Sequence, residues 1–347
     1  MAAGLRGRYP DVELDLLPIS DGGDGFLECL ESPLHLSRRS VVVRGPVHAP
    51  VAAAYGLGAD GTGVVEAAQA VGMARLAPEQ LDALGASSGG LGDLLGEVRQ
   101  AGAQRLVVGL GGSASTDGGT GMARALGYRF LDGAGQDLAE GGGSLRRLDR
   151  IDATGFDPGW LMLPIEAACD VDNPLLGAAG TAAVYAPQKG ATPADVEGLA
   201  EGLEVLARVV ARDLGVEVAS IPHGGAAGGL GAGFAAFLGG ALTGGALFVL
   251  EAVRLRGRLE GAAALLTGEG RLDGQSLYGK APVAAGRLAR GAGVRSISLV
   301  GAVGAGWEAA RADAFDEVHV IAEGAAPPRS QGEAARRLTE AAGLLEL

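Results

Sequence analysis

Four times in this chain an apolar run empties into a short loop that mixes glycine with carboxylates, hydroxyls or a basic side chain. Val12 to Ile19 leads into Ser20-Asp21-Gly22-Gly23-Asp24-Gly25, and Arg105 to Gly109 into Leu110-Gly111-Gly112-Ser113-Ala114-Ser115-Thr116-Asp117. Ile165 to Ala168 leads into Cys169-Asp170-Val171-Asp172-Asn173-Pro174, and Ala262 to Leu266 into Thr267-Gly268-Glu269-Gly270-Arg271-Leu272-Asp273. A short apolar run bounded by turn residues reads as a buried strand. Open α/β sheets set their ligand sites just beyond the carboxyl ends of such strands. The repeated design therefore argues for strands whose loops gather at one sheet edge.

Helical patterns separate these strands. Ala2 to Tyr9 reads as the end of a helix, Ser87 or Ser88 opens one that runs to Ala101, and Asp195 to Leu214 carries apolar residues at helical spacing behind Thr192 and Pro193. Arg295 to Val300 and Glu317 to Ile321 read as strands, with helices at Trp307 to Ala312 and Glu333 to Leu345. Strand and helix alternate, so the expected class is α/β, a largely parallel sheet with helices on both faces in the Rossmann or flavodoxin manner. The segment from Arg38 to Glu66 differs, with short strands joined by hairpin-type turns. At 347 residues the chain is long for one core. We therefore expect a second α/β domain at 38–244, inserted into a Rossmann-like domain built from 1–37 and 245–347.

Composition excludes several classes of function. A formal net charge of −13 argues against nucleic acid, whose phosphates need a basic face. No uninterrupted apolar run reaches membrane-spanning length and no signal-peptide pattern opens the chain, so a cytoplasmic protein without a membrane partner is expected. Cys29 and Cys169 are too few for a disulfide framework or a thiolate metal cluster.

The loops narrow the chemistry. Asp21 with Asp24, and Asp170 with Asp172, offer hard oxygens to a cation or a polyol. Gly111, Gly112, Ser113 and Ser115 stand before a helix starting near Met122, where backbone N–H groups converge on an anion. Lysine occurs only at Lys189 and Lys280 among 28 basic residues, a hint that a compact cation is wanted there. Gly274 to Lys280 imitates a nucleotide phosphate loop, but Ala281 stands where a metal-binding hydroxyl is needed and the preceding strand is too far away. Glu66 is ambiguous, and His223 reads as a turn residue. Carboxylates for Mg²⁺, an anion cradle and two lysines are the parts that phosphoryl transfer from ATP needs.

Five stretches also carry a resemblance: Ser20 to Phe26, Gly109 to Gly119, Ala168 to Leu175, Ala186 to Thr192 and Thr267 to Ser276 resemble, in order and spacing, successive motifs of the type-1 bacterial glycerate kinases. The resemblance covers essentially the whole chain. It implies a Mg²⁺- and ATP-dependent kinase with two α/β domains around a cleft, acting on D-glycerate at the 2-hydroxyl in preference to the 3-hydroxyl; a homodimer is compatible with it. On this basis Asp170, Asp172 and Glu269 are candidates for metal or glycerate-hydroxyl contacts, and one of Asp21, Asp24 or Asp170 for the base. Ser113, Ser115 and the amides at Gly111 and Gly112 would hold phosphate. Lys189, Arg271 and Lys280 would neutralise ATP phosphates or the glycerate carboxylate.

The family normally begins with a further strand and a loop of the Ala-Pro-Asp-Ser-Phe-Lys kind, whereas this sequence starts inside the helix that follows. A truncated relative that binds nucleotide or a small acid without turnover is the resulting alternative. The Gly109 to Ser115 stretch also resembles the phosphate loop of the galactokinase and homoserine kinase group, whose other motifs are not evident here.

Overall fold

A computed structural model describes residues 1–277, 279–322 and 330–346. The chain forms two compact units, Ser20–Gly245 and Met1–Ile19 with Ala246–Leu347. Residues 20–37, expected with the terminal segments, belong to the larger unit. The helix Phe26–Glu31 buries Phe26 and Leu30 completely, and the Leu27 N–H donates to Glu66 of that unit.

In the larger unit β1 (Ser37–Arg44), β2 (Pro50–Leu57) and β3 (Thr62–Glu66) form an antiparallel meander, as the short connections between them require. β4 (Arg105–Gly109) is reached through the helix Gly89–Gln100 and lies parallel to β3. β5 (Arg129–Asp132) and β6 (Leu148–Asp152) make a separate hairpin. β7 (Ile165–Ala168) and β8 (Ala241–Thr243) complete a six-stranded sheet of order β1-β2-β3-β4-β7-β8. Val64, Val65, Leu106, Val107 and Val108 are all fully buried, the unbroken apolar run of strands covered on both faces.

The helix Pro193–Leu214 forms where expected, and its start is locally encoded. Thr192 Oγ1 accepts from the Asp195 N–H while the Asp195 carboxylate accepts from the Thr192 N–H, and Gly215 at φ +71° ends it.

The smaller unit holds a parallel sheet of order β11-β10-β9, from β9 (Ala264–Leu272), β10 (Arg295–Val303) and β11 (Glu317–Val320). Leu299 and Val300, neighbours in β10, enter different apolar clusters, with Leu5, Ile297 and Leu345 on one side and Leu272, Val283 and Phe315 on the other.

Two expectations fail here. Val12 to Ile19 forms no strand, although Val12 and Leu14 still pack beside Ile297 and Leu299; the alternation signalled a buried face, not sheet pairing. The strand placed at Ala262 to Leu266 instead runs from Ala264 to Leu272, so Glu269 and Arg271 lie within it and not in a loop. Its ladder to β10 carries it that far, pairing Glu269 with Val300 and Arg271 with Ala302. Gly268 permits the approach, since a Cβ there would lie 2.2 Å from the Leu299 carbonyl oxygen.

Candidate active site

In the larger unit the register aligns Glu66, Gly109, Ala168 and Thr243 as one row at the carboxyl ends of four parallel strands. The loop after β4 and the loop after β7 leave from this row. They are tied at their roots by Leu110 N–H to Ala168 O at 3.0 Å and Cys169 N–H to Thr243 O at 2.9 Å. The Asp21–Gly25 loop lies directly on them. The Gly111 N–H donates to Gly22 O at 2.9 Å, and a Cβ on Gly112 would stand 3.2 Å from Asp24 Oδ1. The structure thus brings Asp21 and Asp24, both exposed, together with Gly111 and Gly112 at the edge from which Asp170 also departs.

This stacking leaves no room for a side chain at Gly111, where a Cβ would fall 2.4 Å from Gly23 Cα, backbone that cannot swing aside. Gly111→Ala is therefore expected to displace the Asp21–Gly25 loop and lower kcat/KM by at least about tenfold, or about 1.4 kcal/mol of transition-state stabilisation. Steady-state kinetics at parent level would show that the two loops have slack.

The cradle beyond Gly112 faces inward. Ser113 and Ser115 are buried with their hydroxyls 3.0 Å apart, and Thr116 Oγ1 is buried without a partner among the described residues. Asp117 is wholly buried and accepts from the Ser88 N–H and hydroxyl and from the Gly119 and Gly121 N–H groups. Ser88, expected with Ser87 to open the helix that follows, turns its hydroxyl to Asp117, and the Ser87 hydroxyl donates to Glu140. Sequence reading assigned Asp117 no role. Its spacing within the loop carries no sign of what it would meet.

Lys189 differs most from expectation. Only 2% exposed, its ammonium donates to the Ser115 carbonyl at 2.5 Å, so in this structure it braces the cradle from below. Burial pushes the Lys189 ammonium down to about 8, opposed by the charge of Asp117. Between about pH 8 and the ordinary lysine range the unfolded chain holds a proton that the folded chain does not, so this group makes stability rise with pH there, by roughly 3 kcal/mol in all. Urea unfolding at pH 7.5 to 10.5 should show a rise in the parent that Lys189→Met lacks. Parallel curves for the two proteins would contradict it.

In the loop after β7, Asp170 is half-buried and Asp172 exposed. Asn173 serves the loop itself, its amide donating to Ala179 O at 2.7 Å and accepting from the Tyr185 hydroxyl at 2.6 Å. His223 sits at φ +65° with Nδ1 2.9 Å from Val171 O and 3.5 Å from Asp172 Oδ1, the turn position the sequence favours. Burial pushes the Cys169 thiol up to about 12, which leaves it no nucleophile at neutral pH.

In the smaller unit Glu269 points its carboxylate at two donors, Lys280 Nζ at 2.9 Å and Ser276 Oγ at 3.1 Å, both on Oε2. Its Oε1 is buried without a partner among the described residues. Lys280 stands at the start of the helix Ala281–Gly291, whose first N–H groups receive no side-chain cap. Arg271 is 66% exposed and 3.4 Å from Asp273. Among the described residues, no group of three or more His, Cys, Asp or Glu side chains is placed to hold a metal ion by itself. Among them also, no helix is long and apolar enough to cross a membrane.

Glycine loops at parallel strand ends with carboxylates beside them, in the larger unit, are parts that α/β kinases of small molecules use. The profile of the Glycerate kinase family matches residues 1–344. A glycerate kinase of Halalkalibacterium halodurans is 43% identical over 307 residues, covering 88% of this chain and 81% of that protein. A protein of Escherichia coli K12 described as glycerate 2-kinase is 38% identical over 83% of this chain and 76% of its own length. The crystal structure of a candidate glycerate kinase 2 from Salmonella typhimurium LT2 superposes with a TM-score of 0.81 at 37% identity, covering 99% of this chain and 89% of that one. This chain belongs to the glycerate kinase family, and it is a phosphotransferase with an alcohol group as acceptor.

Proposed function

We propose that the enzyme transfers the γ-phosphoryl group of ATP to D-glycerate, at the 2-hydroxyl in preference to the 3-hydroxyl. The observation that carries this reading is the single row of strand ends in the larger unit, which sets the Asp21–Gly25 loop against Gly111 and Gly112 and roots the Asp170 loop beside them. The name of the Escherichia coli relative supports the choice of hydroxyl. One of Asp21, Asp24 or Asp170 takes the hydroxyl proton. The amide of Gly112, with Ser113 and Ser115, holds phosphate, the Gly111 N–H being engaged by the Gly22 carbonyl, and Lys189 fixes that loop through the Ser115 carbonyl.

One or two protein carboxylates would suffice to hold Mg²⁺ beside the nucleotide phosphates, where it would neutralise charge on the phosphoryl oxygens. The donor chemistry fits: Asp170 and Asp172 offer hard oxygens in the larger unit, and Glu269 has a buried Oε1 without a described partner in the smaller one. In that unit Lys280 and Arg271 are the cations for ATP phosphates or for the glycerate carboxylate. The protein works in the cytoplasm, without nucleic acid or membrane, and a homodimer is compatible with this reading.

The test is ADP release from Mg-ATP and D-glycerate, with the product then offered to enolase alone or to enolase with phosphoglycerate mutase. Consumption by enolase alone identifies the 2-phosphate; a need for the mutase identifies the 3-phosphate. Nucleotide binding without ADP release would favour the binding-only alternative.

A further inference from the structure

Glu66 ends β3, in the same strand-end row as Gly109 and Ala168, and the reaction as proposed makes no use of it. Its residue is only 3% exposed, and none of the described cations forms an ion pair with it. Buried carboxylates are rare unless paired, because losing hydration costs more than ordinary hydrogen bonds return. The Leu27 N–H donates to Oε2 at 3.2 Å, and the Gly25 N–H and the Gln69 amide, in the helix Ala67–Val71, lie close enough to favour its charge. The Asp24 carboxylate lies close enough to repel it, and burial holds the Glu66 carboxyl above the usual carboxylate range. A polar group kept at such a cost to stability calls for a reason outside stability.

The geometry supplies one. Leu27 and Gly25 flank the point where the Asp21–Gly25 loop becomes the helix Phe26–Glu31, and that helix is too short to hold its own start rigidly. A carboxylate is an acceptor only, so it takes several N–H groups at once; a glutamine offers one oxygen and sets its own NH₂ against the remaining donors. We infer that Glu66 is a positioning residue for phosphoryl transfer, which ties the Asp21–Gly25 loop to the strand-end row and so sets where the Asp21 and Asp24 carboxylates stand over Gly111 and Gly112. The inference rests on the proposed glycerate kinase reaction for its catalytic consequence, but the tie itself is a property of the fold.

The experiment compares Glu66→Gln and Glu66→Ala with the parent 347-residue enzyme by thermal melting, by ADP release with D-glycerate and Mg-ATP, and by amide hydrogen exchange over residues 20–31. The expected result for Glu66→Gln is a melting temperature at or above the parent's, because the buried charge is gone. Exchange at Gly25 and Leu27 should be faster by roughly tenfold or more. The value of kcat should fall by about tenfold or more with the KM for ATP little changed, as expected when alignment and not binding is lost. Glu66→Ala should show the larger effect on both. Parent-level exchange in this segment would overturn the inference whatever the activity, and so would parent kinetics in both variants or a loss of activity that merely follows a loss of folding. A parent enzyme inactive on D-glycerate would instead sink the proposed reaction, and hydrogen exchange would still decide whether Glu66 anchors the loop.

Discussion

Asp170→Asn is expected to remove nearly all turnover while the fold survives. Asp170 is half-buried just past the end of β7, on a loop whose root is held by backbone bonds from Cys169 to Thr243 and from Leu110 to Ala168. Asparagine keeps the shape and one acceptor oxygen and removes the charge, and the backbone bonds at the root of the loop are untouched. What disappears is the ability to take a proton or to hold a cation. Loss of a general base alone costs about 10²–10⁴ in rate, and a carboxylate that also bears on Mg²⁺ costs more, so kcat should fall by about 10³ or further. The melting temperature should change by no more than a few degrees, since no buried apolar contact is lost. Near-parent kcat in a folded variant would remove Asp170 from the mechanism.

The largest expected loss of stability belongs to Asp117→Ala. Its carboxylate takes four hydrogen bonds in a fully buried setting: from the Ser88 N–H at 2.9 Å, the Ser88 hydroxyl at 2.8 Å, and the Gly119 and Gly121 N–H groups at 3.1 Å. Through them it ties the start of the helix Gly89–Gln100 to the start of the helix Thr120–Ala125. It is also the charge that favours the buried Lys189 ammonium. Alanine leaves these donors with no acceptor and removes a charge that favours the Lys189 ammonium. Each orphaned buried donor costs about 1–3 kcal/mol; the terms overlap, so a loss on the order of 4 kcal/mol is expected. For a unit of this size that is roughly a 10 °C fall in melting temperature. Asp117→Asn should lose less, because one oxygen stays while its NH₂ faces other donors. An unchanged midpoint in Asp117→Ala would show that water or relaxation satisfies the freed groups.

Several elements of the chain are announced by signals that lie within a few residues. The apolar runs of β4 and β7 and the helix behind Thr192 and Pro193 each carry their physics locally, and each formed where the sequence placed it. The family was legible for the same reason, since its motifs are contiguous loops. Tertiary structure alone decided what depends on a distant partner. β9 runs on through Glu269 and Arg271 because β10, some thirty residues later, extends its ladder, and Val12 to Ile19 alternates like a strand yet finds no ladder at all. Lys189 stood out by rarity, but only the Ser115 carbonyl, 74 positions away, makes it a buried brace. Glu66 and Asp117 look in sequence like any carboxylate beside a turn. Burial and pairing set their roles, and both are properties of packing between segments far apart in the chain, which local periodicity, propensity and capping do not encode.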